Sequence, residues 1–161
     1  MYQILNDGSV QHLRTSQIVS NNPEDQSYAD FEAWKARGNV PAPSQRSTLQ
    51  QQVWERIKAH RDELKASGVR VGDHWFHSDV DSRIQQLALK ELGSAIPEGV
   101  PWKTMSGAFV PMTPELALQI FFASVASDVQ IFSVAEAHRA AMQLVDDPET
   151  YDFSTGWPDK Y

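Results

Sequence analysis

The greatest density of reactive side chains lies in the run His74-Trp75-Phe76-His77-Ser78-Asp79-Val80-Asp81, which holds two imidazoles and two carboxylates. Such groups bind a metal or relay a proton only where they converge on one point. A strand sends alternate side chains to opposite faces, so His74 and His77 diverge if the run is extended. Asp79 and Asp81 fall at a helix start, where carboxylates cap free N–H groups and complement the helix dipole. Capping is the reading taken here, and metal or acid–base chemistry is the alternative the run leaves open. No nucleophile elbow, zinc-protease motif, phosphate-binding loop or dinucleotide fingerprint occurs elsewhere. Ser106-Gly107 reads as a turn, Met105 and Met112 as core fillers, and Asp62-Glu63 as part of an exposed helix face. The chain has no cysteine, which excludes disulfides and thiolate metal sites and suits the cytosol. The expectation is a non-enzymatic protein without catalytic, cofactor or metal residues.

The elements that position these residues are mostly helical. The longest apolar-periodic segment runs from Thr113 to about Leu144, with Thr113 as N-cap, Pro114 at the first helical position and Glu115 in the first turn. Leu118, Phe121, Phe122, Val125, Val129 and Phe132 recur on one face, while Leu116, Ile120, Ile131 and Val134 add apolar surface on others. A helix apolar on more than one face needs a cover, from this chain or another. Its length approaches a membrane span. Gln119, Ser124, Ser127, Asp128, Gln130 and Ser133 interrupt it, so no membrane span is expected. Upstream, Ser47–Ala66 forms a polar helix with a thin stripe of Leu49, Val53, Ile57 and Leu64. A helix over Val80–Leu92 is expected to turn Ile84, Leu87 and Val80 inward. Hairpins are expected around Asn6-Asp7-Gly8, Gly72-Asp73 and Ser106-Gly107.

The fold class is therefore α+β, mainly helical, with two or three long helices, short β-hairpins and extended terminal arms. Residues 1–43 are read as an N-terminal arm of hairpin, short aromatic helix and proline linker. Residues 44–145 are the helical core domain, and 146–161 an acidic aromatic tail. Within the arm, Tyr28, Phe31 and Trp34 share one side of a helix over Tyr28–Arg37 that is too short to stand alone. These aromatics need a receiving surface, either in the same chain or on another protein. Together with Trp54, Ile57 and Trp157 they are the candidate partner-interface residues.

The formal net charge of −7 argues against general nucleic-acid binding. Opposite-sign segments at 44–68 and 146–161 can dock on each other or on neighbouring copies. The N-terminal residues show no basic region followed by an apolar core, so no secretory signal is expected.

Two stretches carry a family resemblance. The segment from Trp75 to Leu87, then Trp102–Thr113, then Ala135-Glu136-Ala137-His138, resembles a domain of unknown function frequent in bacteriophage tail genes, often those of tail fibre or tail fibre assembly proteins. Tyr28–Pro43 is similar to a tyrosine–tryptophan–glycine–asparagine–proline signature near the start of small phage tail-module proteins, with Lys35 and Val40 departing from it. The resemblance brings no catalytic residues. It implies a structural component of a tail fibre, tail tip or baseplate that works through other phage tail proteins, as a homo-oligomer or in a symmetric assembly. The virion tail, assembled in the bacterial host cytoplasm, is the implied location. An assembly chaperone that is not retained in the virion is the alternative.

Overall fold

The computed structural model describes residues 1–161. Its architecture is α+β and mainly helical, with three two-stranded antiparallel hairpins and four α-helices. Two compact units divide it, Met1–Trp54 with Val145–Tyr151, and Glu55–Leu144 with Asp152–Tyr161. That division falls inside a helix rather than at the proline linker, because the linker is hydrogen-bonded into the first unit.

In the first unit, β1 (Tyr2–Ile4) pairs with β2 (Val10–His12) around the Asn6–Gly8 turn. The linker lies alongside β1 in parallel, with the Ile4 N–H donating to the Ala42 carbonyl and the Ala42 N–H to that of Tyr2, both at 2.9 Å. Helix α1 (Gln26–Ala36) is capped by the Asp25 carboxylate, two residues ahead of the expected start. The Tyr2 ring meets Phe31 and Trp34 edge-on, each with centroids 5.0 Å apart. A hairpin and a short helix that are each marginal alone thus bury one aromatic cluster between them.

Helix α2 (Gln45–Lys65) runs through both units. The Ser44 hydroxyl closes its first turn by accepting the Ser47 N–H at 3.1 Å. In the second unit follow the hairpin β3 (Val69–Val71) and β4 (His74–Phe76), α3 (Val80–Leu92), the hairpin β5 (Pro101–Lys103) and β6 (Phe109–Pro111), and α4 (Pro114–Met142). The Thr113 hydroxyl caps α4, as its position before Pro114 predicts. Val69, Phe76, Ile96, Met112, Ala117 and Ile120 form the core where the hairpins cover α4.

Gly68 joins α2 to the β3–β4 hairpin with φ +103°, a conformation that L-residues rarely adopt. Its N–H donates to the Ser78 hydroxyl at 2.8 Å, and a Cβ built on it runs into the Met105 sulfur. The half-buried Met105 thioether can swing aside, but the Phe76 backbone carbonyl, 3.3 Å from the same Cβ, cannot, and the positive φ stays strained for any L-residue. Gly68→Ala is expected to destabilise the second unit by about 1–2 kcal/mol, chiefly through backbone strain. Urea unfolding measures this, and a loss below about 0.5 kcal/mol would show that the joint relaxes freely.

Candidate protein-binding face

The polar centre of the second unit is the Arg83 guanidinium. It forks onto Asp128 of α4, with Nη1 to Oδ2 at 2.6 Å and Nη2 to Oδ1 at 3.0 Å. Nη2 also donates to the Lys65 carbonyl at 2.9 Å, where α2 ends, and Nε to the Ser78 carbonyl at 2.5 Å. Ser78, fully buried, donates its hydroxyl to that same Lys65 carbonyl at 2.7 Å. One cation therefore satisfies backbone acceptors freed at a helix end while neutralising the sole charged side chain between Glu115 and Glu136 on α4.

This joint fixes α3 against α4. Arg83 meets Asp128, and Lys90 lies over the Phe121 ring at 5.2 Å, so the two helices run antiparallel. Buried Gln86 donates to the His77 carbonyl at 2.7 Å and sets the rotation of α3. Val80, Ile84 and Leu87 consequently face solvent, contrary to the inward orientation their spacing suggests. On α4, the residues turned inward are Ala117, Ile120, Ser124, Ile131, Ala135 and Met142. Leu118, Phe122, Val125, Val129 and Phe132, from the face on which the large apolar residues recur, are exposed. Small residues let the hairpins and α3 approach the α4 backbone closely, and the bulky ones are left outside. Between α3 and α4 lies a groove of about 170 Å³ lined by Arg83, Gln86, Leu87, Phe121, Ser124 and Val125. The Ser124 hydroxyl is buried at its edge without a hydrogen-bond partner. By length and composition α4 is also apolar enough to cross a membrane.

A family model described as a domain of unknown function, DUF4376, matches residues 48–155. The chain belongs to the DUF4376 family. No curated protein and no solved structure matches it. The DUF4376 match takes in α2 almost entirely, α3, α4, both later hairpins and the start of the tail.

Within this DUF4376 protein, the reactive run does not converge. His74 and His77 are exposed at the end of the β3–β4 hairpin and just beyond it. Asp79 accepts the Ser82 N–H at 3.0 Å and the Ser82 hydroxyl at 2.7 Å, as the helix cap its position indicates. These bonds, the backbone one first, hold the Asp79 carboxyl below the usual carboxylate range. Its capping contribution is thus present above the unfolded-state value of about 3.9 and is lost as pH falls through the lower folded value. Asp81 is exposed, and no three His, Asp or Glu side chains are grouped to hold a metal ion.

The candidate interface residues separate. Phe31 is buried against Tyr2, and Trp34 stacks beside it, so these two aromatics of α1 are received within their own unit. Ile57 is fully buried and leaves the candidate interface for the core. Trp157 donates its indole N–H to the Phe153 carbonyl at 2.7 Å and packs against His60 and His138, with centroids 5.0 and 5.3 Å away. Tyr28 and Trp54 remain half-buried. The apolar run of α4 flagged its outer face in the sequence as surface needing a cover, but nothing in the pattern indicated which side faced out.

Arg83→Met is expected to lower the stability of the second unit by about 2–3 kcal/mol and Asp128→Asn by about 1–2 kcal/mol, because each strands charged or backbone partners. In a double-mutant cycle read by urea unfolding, the pair should couple by at least about 1 kcal/mol. Coupling near zero would mean that the fork does not position α3.

Proposed function

We propose that this DUF4376 protein is a non-enzymatic structural component of a phage tail (fibre, tip or baseplate) that works through protein–protein contacts. One observation carries the contact part of this reading, the apolar outer face of α3 and α4 standing open to solvent. Contiguous exposed apolar surface of this kind marks interaction sites in folded proteins. The tail setting is supported by the resemblance of the Trp75–Leu87, Trp102–Thr113 and Tyr28–Pro43 stretches to phage tail-module sequences. Its place of action on this reading is the virion tail, assembled in the host cytoplasm, among other tail proteins.

Mass spectrometry of particles purified from a lysate of the source phage or prophage tests the proposal. Peptides of this chain should be present at a fixed ratio to known tail proteins and resist high-salt washing. Their absence, combined with a higher yield of soluble fibre when the chain is co-expressed with it, would overturn the structural role in favour of an assembly chaperone.

A further inference from the structure

We propose that the occupant of the α3–α4 face is a second copy of this chain, joined through an antiparallel pairing of the two α4 helices. The inference rests on the reading of that face as protein-binding and names its partner. Leu118, Phe122, Val125, Val129 and Phe132 recur at alternating spacings of four and three, the seam pattern of paired helices. The same pattern continues outward to Glu115 at one end and to Glu136 and Arg139 at the other. Between Glu115 and Glu136 the only ionisable side chain is Asp128, and Arg83 neutralises it.

A two-fold axis crossing α4 at the level of Ser127 lays this seam on itself. Val125 then opposes Val129 of the other copy, Phe122 opposes Phe132, and Glu115 opposes Arg139, each contact occurring twice as an isologous interface requires. Rings meet rings, with the Arg61 and Lys65 cations of α2 already over one side of Phe132 at 4.8 and 5.1 Å, β-branched residues meet β-branched residues, and the ends close on opposite charges. Leu118 lies against the aliphatic stem of Glu136, whose carboxylate is held by Arg139 at 3.5 Å. A parallel pairing sets Glu115 on Glu115 and Arg139 on Arg139, which like-charge repulsion disfavours.

The area suits a stable dimer. The α4 seam residues are between 41% (Phe132) and 67% (Val129) exposed, and Leu87, Ile84 and Val80 of α3 are 46%, 62% and 74% exposed. At ~150–250 Å² for a large side chain, the open surface is on the order of 800 Å² per copy, the share one partner gives to a standard interface. Because α3 runs antiparallel beside α4, two copies make a four-helix bundle. Gln119, Gln130 and Ser133 share the exposed side of α4, and a protein surface accommodates their amides and hydroxyl at less cost than hydrocarbon does.

The chain has no cysteine, so introduced thiols are the only ones present. Val125→Cys and Val129→Cys chains, mixed under mild oxidation, should cross-link to each other about tenfold faster than either variant cross-links alone. Sedimentation of the full chain above about 1 μM, where an interface of this size holds, should show a dimer. Phe122→Glu and Val129→Glu should yield monomers with unchanged helical circular dichroism. Glu115→Arg should weaken the dimer, and Glu115→Arg with Arg139→Glu should restore it. A monomer at all concentrations, faster self-cross-linking of each single variant, or monomers that float with phosphatidylcholine vesicles would each overturn the proposal. A monomeric chain still found in purified particles defeats the pairing and leaves the tail role standing; a dimer absent from particles does the reverse.

Discussion

The second unit depends on one guanidinium. Arg83 accounts at once for the carbonyl that ends α2, the carbonyl preceding α3 and the only charge in the middle of α4. An exposed ion pair contributes roughly 0–1 kcal/mol, and the Arg83–Asp128 pair departs from that case in three ways. Both partners are mostly shielded, the fork is bidentate, and two further acceptors are backbone groups with no helical partner. Those features place it nearer the 1.5–3 kcal/mol of hydrogen bonds to charged groups. Its larger effect is directional, since it locks the phase of α3 against α4.

That phase determines what remains outside. Ala117 and Ala135 bring neighbouring elements close to the α4 backbone, and Ile120 and Ile131 fill the space between. Helix packing at such short separations leaves no room for the rings of Phe122 and Phe132 on the same side. The cationic heads of α2 cover one flank, with the Arg61 guanidinium and the Lys65 ammonium over the Phe132 ring at 4.8 and 5.1 Å. Polar and apolar demands thus agree inside the unit, and the apolar surplus is displaced to one face. The first unit shows the contrary arrangement, in which Tyr2, Phe31 and Trp34 consume their own aromatic surface.

Local punctuation was the legible part of this chain. Thr113-Pro114, Asp79 before Val80, and the glycine-bearing turns marked helix starts and hairpins, because caps and positive-φ turns are set by a few adjacent residues. Orientation was much less legible. The stripe of α3 reads as an inward face until Gln86 is seen satisfying the His77 carbonyl, a tertiary bond that no periodicity encodes. On α4 nearly every side is apolar, so a period of 3.6 does not distinguish core from surface. The role of the α1 aromatics was illegible for a related reason. Anchors and core residues are drawn from the same side-chain types, and only the position of Tyr2 separates the two roles. Trp157 was likewise absorbed by His60 and His138, which lie on different helices far apart in sequence.

The claim that α4 presents its large side chains outward, for another protein surface, is tested most directly by hydroxyl-radical footprinting of the full chain across a dilution series. The account predicts that Phe122 and Phe132 are oxidised readily in dilute protein and become protected as concentration rises, while buried Phe76 stays unlabelled throughout. Protection of Phe122 and Phe132 at every dilution would show that this face belongs to the core, and labelling that never changes with concentration would show that no second copy covers it.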